Sequence, residues 1–492
     1  MQGGEVRRHL NRRLRVRVCQ INAKTGSNVI KIFNHYFHKR TVLQIFMDFF
    51  LVLGTIALGV VLQAKDLTAE PREFWIASVT AAIFFALGVL VINGSLGFYQ
   101  RIHNRTRGQS GARALLSLVM LFPLSYVIFH ISPFSLDDTK LFLLTMLLGV
   151  GLVLQNRVHV IHSMATDDAR ERVLIFGTGA RAKSVGQSLQ KSDANVDLVG
   201  YYAIPTEVAV AGSERSLSEG GKNLVEVVRE YKVDEIVVAV SERRGGSMPL
   251  RELLDCKLQG VRVMDIATHF ERTMGQIRLD TVSAGWLVFG DGFAQSVVRV
   301  FVKRIFDLVC ATILLVLALP VMLVTAILIV LESSGPVLYR QERVGLLGTT
   351  FNVVKFRSMR TDAEKDGKPR WATSNDSRVT RVGRVIRKLR IDELPQLFSV
   401  LVGTMSLVGP RPERPYFVEQ LTKELPYYAV RHSVKPGVTG WAQVRYQYGA
   451  SMQDAAEKLQ YDLYYVKNHT LFLDMIVLFE TIGVVVMRKG AQ

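Results

Sequence analysis

The chain has 492 residues, 49% hydrophobic and 21% charged, with a formal net charge of +18 and a mean hydropathy of +0.21. That length suggests about three domains. Cys19, Cys256 and Cys310 are far apart and odd in number, so they form neither a disulfide framework nor a cysteine zinc site. Without zinc-finger spacing or an aromatic–basic RNA motif, the basic excess points to anionic lipid and phosphorylated substrates, not nucleic acid.

Residues 1–41 read as a basic cytoplasmic arm with no continuous apolar core, so they are not a signal peptide. Four apolar segments follow, 42–63, 75–98, 112–131 and 139–156. Each is close to the ~20 residues that cross a bilayer core. Arg7, Arg8, Arg12, Arg13, Lys39 and Arg40 precede the first, and Arg101, Arg105, Arg107 and Arg113 lie between the second and third. Asp137 and Asp138 occupy the third connection. The positive-inside rule therefore places both ends of a four-helix bundle, 42–157, in the cytoplasm, making the chain a multi-pass membrane protein.

Residues 168–270 alternate strands and helices. Strands are expected at Val173–Phe176, Leu198–Ala203, Glu235–Val240 and Val261–Asp265, with helices at 222–231 and 249–258. This pattern builds an open parallel sheet, a Rossmann-like α/β domain. The turn Gly177-Thr178-Gly179-Ala180-Arg181-Ala182 could seat a pyrophosphate. A dinucleotide fold wants an acid at the end of the second strand, and here that end reads Tyr201-Tyr202-Ala203. A scaffold whose glycines only permit a tight turn is the better reading. Residues 271–297, with Gly275, Gly290 and Gly292, read as an irregular linker.

An apolar run from Leu308 to Leu331 follows Lys303 and Arg304, with Pro320 in its middle. Proline removes a backbone hydrogen bond and kinks a helix. Basic residues flank both ends, Arg299, Lys303 and Arg304 before and Arg340 and Arg343 after. Symmetric positive flanks favour a re-entrant helix, about 303–331, over a span.

The rest of the chain carries the chemistry. Its strings are Gln341–Gly345, Lys355-Phe356-Arg357-Ser358-Met359, Asn375–Gly383, Arg387–Gln396, Ser406–Glu413 and Lys435–Trp441. Asp392 and Glu393 stand among Arg378, Arg381, Arg384, Arg387, Lys388, Arg390, Arg411 and Arg414. Guanidinium forks suit phosphate. Cations keep a carboxylate ionised, so that it can attack phosphorus or bind metal. A second acid with phosphate oxygens and water makes a Mg²⁺ site. The bland alternative is a solvated charged helix, but Gly409-Pro410-Arg411-Pro412 is too rigid for one and looks built to hold Arg411.

These strings resemble the bacterial sugar transferase family, the monotopic phosphoglycosyl transferases, over roughly residues 298–490. The upstream bundle and α/β domain resemble the large form of the family, the undecaprenyl-phosphate hexose-1-phosphate transferase type. The stretch Asn34-His35-Tyr36-Phe37 resembles transferases found with exosortase-linked polysaccharide clusters. The resemblance implies a mostly α catalytic domain over 298–492 with a re-entrant helix broken at Pro320. It implies Asp392 as nucleophile and Glu393 as Mg²⁺ ligand. Arg387 and Arg411 become phosphate ligands, Lys303 and Arg304 lie near the lipid phosphate, and Lys355 and Arg357 face the nucleotide or phosphates. The implied reaction moves a hexose-1-phosphate from a UDP-sugar to undecaprenyl phosphate at the inner leaflet, through a covalent aspartyl phospho-sugar. It starts exopolysaccharide or O-antigen-type assembly. Two positions depart from the family pattern, Ser399 where Asn is common and Thr404 where Asp is usual.

The rival readings are a membrane-tethered NAD-dependent dehydratase or epimerase and a non-catalytic scaffold of polysaccharide assembly. The first lacks a Tyr-x-x-x-Lys dyad in 171–270, and the second would not keep the acidic dyad intact. His35 with His38 and His159 with His162 lack carboxylate partners and are not expected to bind metal. His432 is expected to be structural or phosphate-facing, and the Tyr461–Tyr465 string to pack the domain. Leu471–Met487 reads as an interfacial helix, and a homodimer through the middle domain is compatible with the pattern.

Overall fold

The computed structural model describes residues 29–32, 35–63, 72–99, 107–131, 149, 151, 170–192, 196–204, 216–217, 222–240, 249–282, 287, 292–293, 295–361, 378–446, 449 and 451–486. These form two compact units. The first holds the described residues of 1–30, 37–90 and 101–270, and the second those of 31–36, 91–100 and 271–492.

β1 (Val29–Ile32) and β2 (His35–His38) pair ahead of α1 (Lys39–Gln63), α2 (Arg72–Ser95) and α3 (Arg107–Ile131). Thr41–Val61 and Ser78–Ser95 are long and apolar enough to cross a membrane. The apolar part of α3, Arg113–Tyr126, is shorter and carries Pro123. Phe46, Phe50, Phe84, Leu115 and Phe122 point outward, as a lipid-facing surface requires. The fourth expected segment, 139–156, lies almost wholly outside the described residues.

β3 (Glu171–Phe176), α4 (Ala180–Ser192), β4 (Val196–Tyr202), α5 (Leu224–Glu230), β5 (Glu235–Val238), α6 (Leu250–Leu258), β6 (Arg262–Asp265) and α7 (Ile266–Met274) follow. The four strands are parallel in the order β4-β3-β5-β6. Strands buried on both faces need continuous apolar runs. Val173–Phe176 and Ile236–Val238 supply them, packing on Leu224, Val227 and Leu253. Gly177 ends β3 at φ +121°, a backbone that permits the tight turn into α4.

The second unit is built on α8 (Val297–Glu332), a 36-residue helix capped by Ser296. β7 (Leu338–Val344) and β8 (Thr350–Phe356) form an antiparallel hairpin. α9 (Arg381–Lys388) is capped by Thr380, and α10 (Gln396–Val402) leads to β9 (Ser406–Val408). α11 (Pro415–Glu424), β10 (Gly437–Thr439, parallel to β9), α12 (Trp441–Arg445), α13 (Met452–Asn468) and α14 (Leu471–Val486) complete the unit. Its core gathers Leu407, Val408, Trp441, Leu463, Tyr464, Tyr465, Leu473 and Val477.

Three stretches show packing that their sequence reading did not include. The expected linker packs at its start: Ile277 is fully buried, and the Gly275 carbonyl accepts from Trp441 Nε1 at 2.7 Å. Apolar contact and that bond tie it to the unit. In the expected cytoplasmic arm, His35 is buried with Nδ1 2.6 Å from the Tyr464 hydroxyl and its ring edge-on to Trp441. In α14, Asp474 and Glu480 turn inward while Met475, Phe479 and Ile482 are exposed. That helix is apolar toward its surroundings and ionic toward the core.

Candidate active site

Asp392 and Glu393 occupy a single 3₁₀ turn, Ile391–Glu393, between α9 and α10. Arg390 enters it in the left-handed region at φ +59°, a conformation costing a non-glycine residue on the order of 1 kcal/mol. The turn gives the adjacent acids different surroundings. Glu393 is buried, with Oε1 accepting from Lys355 Nζ at 2.9 Å and Arg411 Nη2 at 3.1 Å, and Oε2 lies 3.5 Å from Arg390. Asp392 is half-buried, and its carboxylate makes no hydrogen bond or ion pair among the described residues.

The electrostatics follow. Burial raises the Asp392 carboxyl above the ordinary aspartate value and the neighbouring Glu393 charge adds to this, while Lys355, Arg411 and Arg387 pull it back only in part. Burial would also raise Glu393, but Lys355, Arg411 and Arg390 outweigh it and hold that carboxyl well below its usual range. Of the two acids, only Glu393 is bonded directly by these cations among the described residues. The other is left open.

Lys355 reaches the dyad from β8, and Arg387 sits half-buried in the last turn of α9, its guanidinium acting on Asp392 by charge. Arg411 comes from a loop fixed at successive carbonyls. Gly437 N donates to Pro410 O at 3.0 Å, Arg431 Nη2 to Arg411 O at 2.9 Å, and Arg343 Nη1 to Pro412 O at 3.0 Å. Four of the expected residues therefore converge with Asp392: Glu393, Lys355, Arg387 and Arg411.

The other expected residues sit elsewhere. Arg357 is buried at the end of α8, with Nη1 on the Ser334 carbonyl at 2.9 Å and Nη2 on that of Ser333 at 2.7 Å. It satisfies helix-end carbonyls, which corrects its reading as a group facing nucleotide or phosphates. Lys303 Nζ lies 2.7 Å from Asp474 and 3.8 Å from Asp307, neutralising two buried acids. Arg304 donates to the carbonyls of Val400 at 2.6 Å and Leu401 at 2.8 Å, near the end of α10. The contacts of that basic pair are made inside the unit. Pro320 lies within α8, which continues through it. The two departing positions are neighbours, because Thr404 Oγ1 donates to the Ser399 carbonyl at 3.2 Å. An ionised aspartate could not make that donation.

No three His, Cys, Asp or Glu side chains gather as a metal cage among the described residues. Mg²⁺ commonly takes one or two carboxylates and completes its shell from substrate phosphates and water. The open Asp392 carboxylate beside Glu393 is a donor set of that kind.

Sequence reasoning did not single out Arg431 or Tyr428, which are buried behind the Arg411 loop with Asp462, a member of the Tyr461–Tyr465 string expected to pack the domain. Their only sequence signal is a lone arginine and a lone aspartate in otherwise packed segments.

Comparison with known proteins shows the family. The profile of the family described as bacterial sugar transferase matches residues 298–488. A UDP-glucose:undecaprenyl-phosphate glucose-1-phosphate transferase of Xanthomonas campestris pv. campestris is 32% identical over 65% of this chain and 68% of its own length. The chain belongs to the bacterial sugar transferase family. A second relative of this sugar transferase is the UDP-N-acetylgalactosamine-undecaprenyl-phosphate N-acetylgalactosaminephosphotransferase of Aeromonas hydrophila. It is 45% identical over 49% of the chain, and the match spans 56% of that relative. The UDP-glucose:undecaprenyl-phosphate glucose-1-phosphate transferase of Escherichia coli (strain K12) is 29% identical over 88% of the chain and 96% of its own length. The transferase's dyad, Arg387, Arg411, Lys355 and the base of α8 all lie inside the stretch that the family profile covers.

Proposed function

We propose that this transferase moves a hexose-1-phosphate from a UDP-sugar to undecaprenyl phosphate by a two-step exchange on Asp392. The observation that carries the proposal is the open Asp392 carboxylate beside a Glu393 already neutralised by Lys355 and Arg411. In the first step an Asp392 oxygen attacks the β-phosphorus. The bond from that phosphorus to the bridging oxygen breaks, and UMP leaves with the electron pair. In the second step an oxygen of the lipid phosphate attacks the same phosphorus and releases the carboxylate. The product is the lipid diphosphate sugar. Arg387 and Arg411 are placed to balance charge on the transferred phosphoryl group. Glu393 would hold Mg²⁺ with substrate phosphate oxygens, and the ion would supply further neutralisation of that charge.

One substrate is soluble and the other lies in the bilayer, so the site belongs at the inner leaflet. The geometry of α8 supports a re-entrant helix. At 36 residues it would be about 54 Å long if straight, against a bilayer core of ~30 Å. Its buried residues are Asp307 and Ala311 near one end and Thr325 and Ile329 near the other, all packed on this unit. The apolar middle is uncovered. Arg304 is bonded to α10, and Glu332 accepts from the Arg381 and Val382 amides at 2.6 and 3.0 Å. A helix whose two ends hold one polar module returns to the side it left. The His35 contact supports the same topology, since residues ahead of the first span dock on that module. Cytoplasmic placement rests on the positive flanks, and a role in starting exopolysaccharide or O-antigen-type glycans rests on the resemblance.

The test is UMP release from a panel of UDP-sugars by the purified protein in membranes. Release in single turnover without lipid acceptor, lost in Asp392→Asn, is the expected result. Strict dependence of that release on the lipid would overturn the covalent step, and an active Asp392→Asn would overturn the assignment. The panel also identifies the sugar.

A further inference from the structure

Behind the Arg411 loop lies a buried guanidinium that the two-step exchange does not use. We infer that Arg431 is a positioning residue, which sets where the Arg411 guanidinium meets the dyad by holding the Arg411 carbonyl. Arg431 stands on the 3₁₀ turn Tyr428–Ser433 and is 5% exposed. Its Nε and Nη2 both donate to Asp462 Oδ2, at 2.9 and 2.7 Å, and its Nη1 donates to the Tyr428 hydroxyl at 2.9 Å. The same Nη2 donates to the Arg411 carbonyl at 2.9 Å. Asp462, on α13, is itself 2% exposed.

This arrangement does more than satisfy a buried charge. Pro410 and Pro412 on either side have no N–H, so the loop has few backbone donors, and it is gripped at three successive carbonyls. Arg431 takes the one that belongs to the residue whose side chain reaches Glu393. Arg343 takes the next, at Pro412. The chain of contact runs from α13 through Asp462 and Arg431 to the Arg411 backbone, then through the Arg411 side chain to Glu393 beside Asp392. A lysine at 431 keeps the charge but cannot serve Asp462, Tyr428 and the carbonyl in one planar fork. The loop then loses a fixed bond.

The inference rests on Asp392 and Glu393 being the reacting centre. It is tested in the full-length transferase with Arg431→Lys, alone and combined with Arg411→Lys. A displacement near 1 Å costs up to about 100-fold, so kcat for UMP release should fall roughly 10- to 100-fold with the melting transition retained. In the Arg411→Lys background the same change should cost no more than about 3-fold, because the two residues act through one contact. Equal factors in both backgrounds, or full turnover in Arg431→Lys, would overturn the inference. If Arg431→Lys does not fold, Tyr428→Phe replaces it, since the ion pair stays and one bond goes. A smaller loss again confined to the Arg411 background supports the inference, and equal or absent loss rejects it. An active Asp392→Asn would instead remove the underlying reading, so the two failures are distinct.

Discussion

Lys303→Met separates two roles for the base of α8. In the structure Lys303 is paired with Asp474, which is fully buried, and lies near Asp307, which is 3% exposed. Methionine keeps most of the side-chain volume and removes the charge. Stranding buried acids by deleting their partner costs about 3–5 kcal/mol. The Lys303 side chain is 19% exposed, so solvent screens part of the pair and the lower end, about 3 kcal/mol, is the better figure. For a unit of this size that corresponds to melting roughly 6–12 °C lower. The assay is thermal unfolding of the purified protein in detergent, with KM for the lipid acceptor measured in parallel. Asp474→Asn added to Lys303→Met should recover most of the loss, because the asparagine carbonyl still accepts from Tyr465. An unchanged melting point together with a raised KM for the lipid would refute this reasoning and restore Lys303 as a direct ligand of the lipid phosphate.

Further predictions concern the site and the arm. Asp392→Asn should abolish turnover and leave the melting point within a few degrees, because the carboxylate has no bonded partner to lose among the described residues. Asp392 must be ionised to attack, and burial with the Glu393 charge raises its carboxyl, so activity should be lost on acidification above the ~3.9 of an ordinary aspartate. Glu393→Gln removes one raising influence, and its residual activity should show that limb at lower pH; a limb that does not move would contradict the coupling. Burial, aided by the Arg445 charge, pushes the His35 imidazole down to about 3. An unfolded histidine near 6.5 takes up protons that the folded one refuses, so its stabilisation is complete above that value and is lost as pH falls toward the folded one. The slope is at most about 1.4 kcal/mol per pH unit. His35→Gln should flatten the acid arm of a melting-against-pH curve, and an unaltered arm would show that His35 is not its source. In a cysteine-free background, Ser296→Cys and Ser334→Cys should react with an impermeant thiol reagent from the same face of the membrane. Labelling from opposite faces would make α8 a span.

Local pattern made much of this protein legible. Continuous apolar runs such as Val173–Phe176 are strands because only burial on both faces tolerates them, and their alternation with helices matches the parallel pairing, though not the strand order. Gly-Pro-Arg-Pro read as a rigid holder, and its carbonyls are indeed gripped. The mistakes lie where a charged residue had to choose a partner. Arg357 stands one residue past β8 and two from Lys355, yet it serves a helix end while Lys355 serves the dyad. Asp474 and Glu480 lie in the stretch read as an interfacial helix, and their burial against Lys303 and Arg445 was not foreseen. His35 sits 429 residues before the tyrosine that it touches.

The sequence by itself determined where the apolar segments lie, the parallel α/β unit, the family strings and the dyad Asp392-Glu393, because periodicity and proline or glycine chemistry act over a few residues. Only the tertiary structure decided which acid is open, which basic residues reach it and which are used to hold the frame. Pairing among charges depends on distances of a few ångströms between segments far apart in the chain, and burial multiplies the consequence of each choice.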